Sequence, residues 1–282
     1  MALICILIGL ILERTTRSLE EWRQFHWFDH YSKWIIRRVP GLTSWGASSI
    51  IVLLLPILLV IQLLDYSVED TLFGLFAFIY SLAVLIYTLG PTDLDWEVDQ
   101  YLAAREKGDE EKAQQLASRI MSRPASDSPD QQIADVMHSI LAQANNRLFA
   151  VIFWFVILGP LGAMLYRLAW YTMTNNNHPT IATAASKLEA ILAWAPAHLV
   201  AAGYALTGNY EGASQGFKEK AKQNTLNECN YLTLVSAGLG ALKDCEPGEE
   251  TACIRATRGL VLRTLVVWLA VIAVLTLIGW TG

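Results

Sequence analysis

The chain has 282 residues, 54% of them hydrophobic and only 17% charged, with 21 Lys and Arg against 26 Asp and Glu for a formal charge of −5. Four uncharged windows, 46–64, 71–89, 148–166 and 264–281, would each be roughly 27–28 Å long as helices, close to the ~30 Å hydrocarbon core of a bilayer. That placement excludes a soluble domain, a disordered chain, a collagen-like repeat and a disulfide-stapled miniature fold.

The predicted elements begin with residues 1–12, apolar from the start but short for a span. No basic region precedes them and no small-residue cleavage site follows, so they read as an uncleaved first helix, not a signal peptide. Residues 13–45 carry Arg14, Arg17, Arg23, Lys33, Arg37 and Arg38, which the positive-inside rule places in the cytoplasm. Within them, 18–38 reads as an amphipathic interfacial helix. Ser18 and Glu21 form a capping box, and Trp22, Phe25, Phe28, Tyr31 and Ile35 share one face. The basic residues of such a helix turn toward lipid headgroups. His26, Asp29 and His30 follow an H-x-x-D-H spacing, but no third ligand completes a metal site, so no metal is expected.

Residues 46–89 are predicted to be a transmembrane hairpin turning outside at the acidic 65–70. Segment 90–147 returns to the cytoplasm. It holds 11 acidic and 6 basic residues and so carries the whole net charge. A mildly acidic chain offers little to phosphate backbones, and nucleic acid is not an expected partner. In that segment Val98–Lys107, a Gly108-Asp109 turn and Glu110–Met121 predict a helical hairpin. A similar phrase recurs at 203–217 around Gly208-Asn209. Each resembles half of a tetratricopeptide pair, though two isolated copies make no solenoid. Packing alone accounts for such hairpins; docking of a soluble protein partner at 90–147 is the sharper reading. A break at Ser126–Pro129 precedes a helix through Ile133, Val136, Met137 and Ile140, ending at Asn145-Asn146-Arg147.

The pair 148–207 follows, with Arg167 expected to snorkel at the outer interface. Residues 188–207 contain Glu189, Pro196 and His198 and fit a full span, a kinked span or a re-entrant piece. A crossing is the version that brings 208–261 back to the cytoplasm, with Arg255, Arg258 and Arg263 at the mouth of the last helix, 262–282. On that topology Cys229, Cys245 and Cys253 should be reduced. The four uncharged windows offer Gln62 but no acid, base or His, so ion-coupled transport is disfavoured.

Two stretches carry a family signal. Phe153-Trp154 is followed by Gly159-Pro160-Leu161-Gly162-Ala163 and Leu165-Tyr166-Arg167; Ala184–Glu189 is followed by Trp194-Ala195-Pro196-Ala197-His198-Leu199. In this order and spacing the chain resembles the CobD/CbiB superfamily of membrane proteins, which includes the enzyme that attaches an aminopropanol-type arm to adenosylcobyric acid. Leu12-Glu13-Arg14, Arg37-Arg38-Val39 and Tyr204-Ala205-Leu206-x-Gly208 bring it nearer to the AmpE branch, which is linked to AmpD and β-lactamase induction. The synthases' Ser-Glu-Asn-x-x-Asp motif falls here on Leu141, Ala142, Gln143 and Asn146, and the Arg of their W-x-P-x-R-L motif on His198. Their Asn-Thr-Leu-Asp-Ser stretch falls on Trp170–Thr174, with loss of a further acid. Amide formation from a carboxylate needs activation, normally by a nucleotide with magnesium, which wants hard oxygen ligands.

The expectation is therefore an all-α polytopic protein of the bacterial inner membrane, with about 4–6 membrane helices and cytoplasmic helical hairpins. The resemblance implies signalling or binding linked to β-lactamase induction, antibiotic resistance and peptidoglycan recycling, with no catalytic residues, cofactor or metal. Asn145, Asn146, Arg147, Arg167, Glu189 and His198 are the candidate ligand-binding set. Besides the bilayer, a small cell-wall-derived ligand is the implied partner, with Arg147 and Arg167 as its anchors. The alternatives are an amide-forming cobalamin-pathway synthase with a rebuilt site, and a membrane scaffold for a soluble partner.

Overall fold

A computed structural model describes residues 2–15, 25–69, 74–90, 94–126, 129–176, 178–219, 225–242 and 250–279. The Ser18–Glu21 cap, Trp22 and Cys245 lie outside them. Among the described residues every regular element is helical. In order these are α1 (Ala2–Thr15), α2 (His26–Arg38), α3 (Ser48–Glu69), α4 (Leu75–Thr88), α5 (Leu94–Glu106), α6 (Glu110–Met121) and α7 (Pro129–Ala144). After a π-helical stretch, Asn145–Phe149, come α8 (Ala150–Asn175), α9 (Pro179–Thr207), α10 (Tyr210–Glu219), α11 (Leu226–Ala241) and α12 (Glu250–Leu277). Ser48–Ser67, Gln131–Asn175, Pro179–Thr207 and Thr251–Leu277 are long and apolar enough to cross a membrane; α4 is shorter. The protein is an all-α polytopic membrane protein.

The chain forms two compact units. The first comprises Met1–Pro91, Ala150–Ala193 and Ile272–Gly282. Here α4 packs on α8, α1 and α3, and α3 on α8. Helix α3 is apolar all round. Ile50, Leu53 and Leu54 are buried, whereas Ile51, Leu55, Leu59, Leu63 and Leu64 are exposed. Such a surface is stable against lipid chains and unfavourable against water. Only the inner stripe of α2 is buried, through Phe28, Ser32 and Ile35. Phe25, Phe28, Tyr87 and Tyr171 form an aromatic group, with Phe25 4.7 Å from Tyr87 and 5.3 Å from Tyr171 between ring centroids.

Helix α8 is bent inside its apolar run. Gly159 has φ 63° and ψ −149°, a conformation essentially restricted to glycine, and Pro160 follows without an N–H to continue the ladder. Three residues on, a Cβ on Gly162 would lie 2.3 Å from the Trp154 carbonyl oxygen. Both glycines of the Gly-Pro-Leu-Gly phrase are thus required by the backbone. The Trp154 indole donates to the Leu192 carbonyl at 2.9 Å, tying α8 to α9.

The second unit comprises Thr92–Phe149 and Trp194–Val271. Asp109 caps α6, accepting from the Lys112 N–H at 3.2 Å. Ala113, Leu116, Ala117 and Ile120 then bury one stripe of the helix. The second hairpin forms at Gly208-Asn209, and α10 lies on α11 at glycine distance. A Cβ on Gly212 would lie 2.2 Å from the Gly240 carbonyl oxygen, and one on Gly216 2.4 Å from that of Ser236. Thr225 and Glu228 close a capping box at the start of α11.

Helix α7 continues into Asn145-Asn146-Arg147, which is itself helical. Of the readings open for 188–207, α9 is an uninterrupted helix through Pro196. One expectation changes here. Cys253 is disulfide-bonded, while Cys5 and Cys229 are thiols. The thiol expected at Cys253 is therefore absent, while the one expected at Cys229 is present.

Candidate functional site

The six expected site residues divide between the units: Arg167 and Glu189 lie in the first, Asn145, Asn146, Arg147 and His198 in the second. In the first unit, Arg167 is only 1% exposed. Its Nε donates to the Thr88 carbonyl at the end of α4, at 2.6 Å, and its guanidinium lies 5.3 Å from the Trp170 ring centroid. The expectation of a snorkelling arginine is therefore wrong. The end of α4 and the Trp170 ring, not the lipid surface, receive the charge. Glu189, 6% exposed, accepts from the Tyr166 hydroxyl at 3.1 Å. This bond joins the two motif stretches, Leu165-Tyr166-Arg167 on α8 and Ala184–Glu189 on α9. Ionisable groups held inside apolar helices are costly to bury and mark functional positions more often than not.

In the second unit the π-helical stretch presents Arg147, 6% exposed, to Glu97 on α5, 2% exposed. Arg147 Nη1 donates to Glu97 Oε2 at 2.7 Å, and Nη2 to the Arg119 carbonyl at 3.3 Å. Single-turn π segments recur at functional sites because the extra residue redirects side chains. Beside Arg147, the Asn145 amide donates to Asn146 Oδ1 at 3.3 Å. Asn145 Oδ1 and Gln143 Oε1 are buried acceptors with no donor among the described residues, the places where a bound N–H, O–H or water would fit. Leu141 and Ala142 are buried apolar residues, and the Leu141 carbonyl accepts from the Tyr204 hydroxyl at 3.0 Å. His198 does not join this group. Its Nδ1 pairs with the Trp194 carbonyl oxygen at 2.8 Å, and its ring lies tilted at 41° to that of Trp194, 4.7 Å between centroids.

Glu97 was missed by the sequence reading, and its signal was legible. It falls in helical register with the buried Val98, Tyr101 and Ala104, where an acid needs a partner. Four other acids of 90–147 are bridged within the unit: Arg258 meets Asp95 and Asp99, Arg255 pairs with Glu106, and Arg123 with Asp135.

Elsewhere, Asp29 accepts from the Tyr171 hydroxyl at 3.0 Å, and His30 Nδ1 pairs with the His26 carbonyl oxygen. Among the described residues no three His, Cys, Asp or Glu side chains are grouped as metal ligands. The two deeply buried site carboxylates are committed, Glu97 to a guanidinium and Glu189 to a phenol. The donor set does not fit a magnesium ion held by protein carboxylates.

A family model, described as CobD/Cbib protein, matches residues 6–243. The chain belongs to the CobD/Cbib family. It is similar to a cobalamin biosynthesis protein CobD of Chromobacterium violaceum, 27% identical over 252 residues, covering 83% of this chain and 78% of that protein. It is also similar to a cobalamin biosynthesis protein CobD of Stutzerimonas stutzeri, 30% identical over 137 residues, 46% of this chain and 45% of that one. No solved structure matches the chain significantly. These relatives overturn the expectation of a non-catalytic, AmpE-like signalling protein. That expectation rested on AmpE-like phrases and on family-motif residues replaced at 141–146, 170–174 and His198; at the first of these stretches a buried carboxylate, Glu97, arrives from α5.

Proposed function

We propose that this protein acts in cobalamin biosynthesis in the bacterial inner membrane, as an amide-forming synthase of the CobD/CbiB type with a rebuilt polar site. The observation that carries the proposal is the family match along 6–243, joined to a named cobalamin biosynthesis relative over 83% of the chain. The site chemistry is compatible with it. Arg147, paired with Glu97 and anchored on the Arg119 carbonyl, is held rigidly beside Asn145 and Asn146, as a preorganised polar site requires. The unfilled acceptors on Asn145 and Gln143 suit an amine or amide N–H.

The test is expression in a strain lacking its cobalamin-pathway synthase, scored by cobalamin-dependent growth. Restored growth with the native chain, and its loss in Arg147→Ala at equal membrane abundance, are expected. No growth from a chain shown to be membrane-inserted would overturn the proposal.

A further inference from the structure

Among the described residues helix α2 carries three exposed cations within six residues. Lys33, Arg37 and Arg38 are exposed and have no carboxylate partner among the described residues. Arg38 instead lies 5.7 Å from the Trp34 ring centroid. Trp27, Trp34 and nearby Trp45 are exposed too, the amphipathic ring type that settles at the headgroup level of a bilayer. The opposite face of α2 is packed into the first unit through Phe28, Ser32 and Ile35.

Against this face the first unit has a partly open cavity of about 100 Å³, lined by Asp29, Ser32, Lys33, Asn175, Asn176 and His178. It sits where α8 ends at Asn175 and α9 begins at Pro179, at the tips of two helices long enough to span. The volume is well under the ~300–1,000 Å³ of small-molecule sites, so it takes a small charged group, not a nucleotide. Its wall is already ordered. Tyr171 holds Asp29 Oδ2, Asn176 Nδ2 donates to Ser32 Oγ at 3.3 Å, and Asn176 Oδ1 accepts from the His178 N–H at 2.9 Å. Ser32, on the inner edge of α2, and Lys33 and His178 also line the cavity and carry further donor groups. Asp29 contributes one negative charge, which Lys33 one turn later offsets, leaving Arg37 and Arg38 as the surplus.

We propose that this face and its cavity seat the phosphate of an anionic phospholipid headgroup. Lys33 and Ser32 hold the phosphate at the cavity mouth, Arg37 and Arg38 supply the long-range attraction, and Trp34 sets the depth of α2 in the interface. A lipid is the occupant because the cavity lies at the ends of apolar helices, and because α2, which forms one of its walls, carries the exposed Trp27 and Trp34.

The full-length protein, delipidated in neutral detergent, would be titrated with phosphatidylglycerol or phosphatidylcholine and its bound lipid counted by native mass spectrometry. Phosphatidylglycerol should be retained over phosphatidylcholine. At roughly fivefold per surface cation, Lys33→Gln should weaken retention about fivefold and Lys33→Gln/Arg37→Gln/Arg38→Gln about a hundredfold. Arg255→Gln, whose partner is Glu106, should leave it unchanged. Equal retention by the triple variant and the parent would overturn the proposal. So would displacement of the lipid by millimolar inorganic phosphate, which would mark a soluble-phosphate site. Because Lys33, Arg37 and Arg38 are exposed, these variants should keep the parent's thermal unfolding, and the readout does not depend on cobalamin activity.

Discussion

The two units solve the burial of charge in different ways. In the first, Arg167 donates to the Thr88 carbonyl and lies against the Trp170 face, and Glu189 accepts from the Tyr166 hydroxyl. In the second, charge meets opposite charge, the buried Arg147 with Glu97 and the partly solvated Arg258 with Asp95 and Asp99. An ion pair with one member removed leaves an uncompensated charge, whereas a carboxylate that loses a phenol loses one hydrogen bond. The second unit is thus specified by pairs that stand or fall together, and the first by single anchors.

The sharpest way to break this contrast is Glu97→Ala. Stranding the Arg147 guanidinium in the interior should cost about 3–5 kcal/mol, measured as a drop in Tm and in denaturant midpoint in micelles. The double variant Glu97→Leu/Arg147→Met should recover most of the loss. Additive losses would show that the pair is not a unit.

A smaller effect is expected in the first unit. Tyr166→Phe keeps the ring and removes the donor to Glu189, and should cost about 1–3 kcal/mol. A loss as large as that of Glu97→Ala would erase the distinction between the units. Comparable in size, Gly240→Ala tests the close approach of α10 and α11. The added methyl lies 2.2 Å from the Gly212 carbonyl oxygen, so the helices must separate at a cost of about 1–3 kcal/mol. Hydrogen exchange should quicken in α10 and α11 before it does in α5 and α6.

The smallest expected change is Arg258→Ala. Its pairs with Asp95 and Asp99 are partly solvated, and such bridges contribute up to about 1 kcal/mol, less in high salt. A salt-independent loss of several kcal/mol would place Arg258 with Arg147 among the buried pairs.

Much of this molecule was legible in the order of its residues. Long uncharged runs can be satisfied only as helices in lipid, because each backbone polar group must bond within its own segment. The Asp109 cap and the turn glycines Gly108 and Gly208 act over a few residues, so the hairpins were readable too. The Gly-Pro-Leu-Gly phrase signalled the family, though its reason, a break at Gly159 and the Trp154 carbonyl over Gly162, needed coordinates.

Partnership across long separations was not legible. Glu97 and Arg147 are fifty residues apart, and Thr88 and Arg167 seventy-nine. Local periodicity shows that such a charge faces inward but not what meets it. The reading of lost acids at 141–146 could not see Glu97 for that reason, since it followed carboxylates along the motif and not across helices. The sequence by itself determined an all-helical membrane protein of this family, because lipid burial and capping are local demands. Only the tertiary structure decided which buried charges are paired, which are held by neutral dipoles, and which, on α2, are left facing outward. Those outcomes depend on distances between helices that no local pattern encodes.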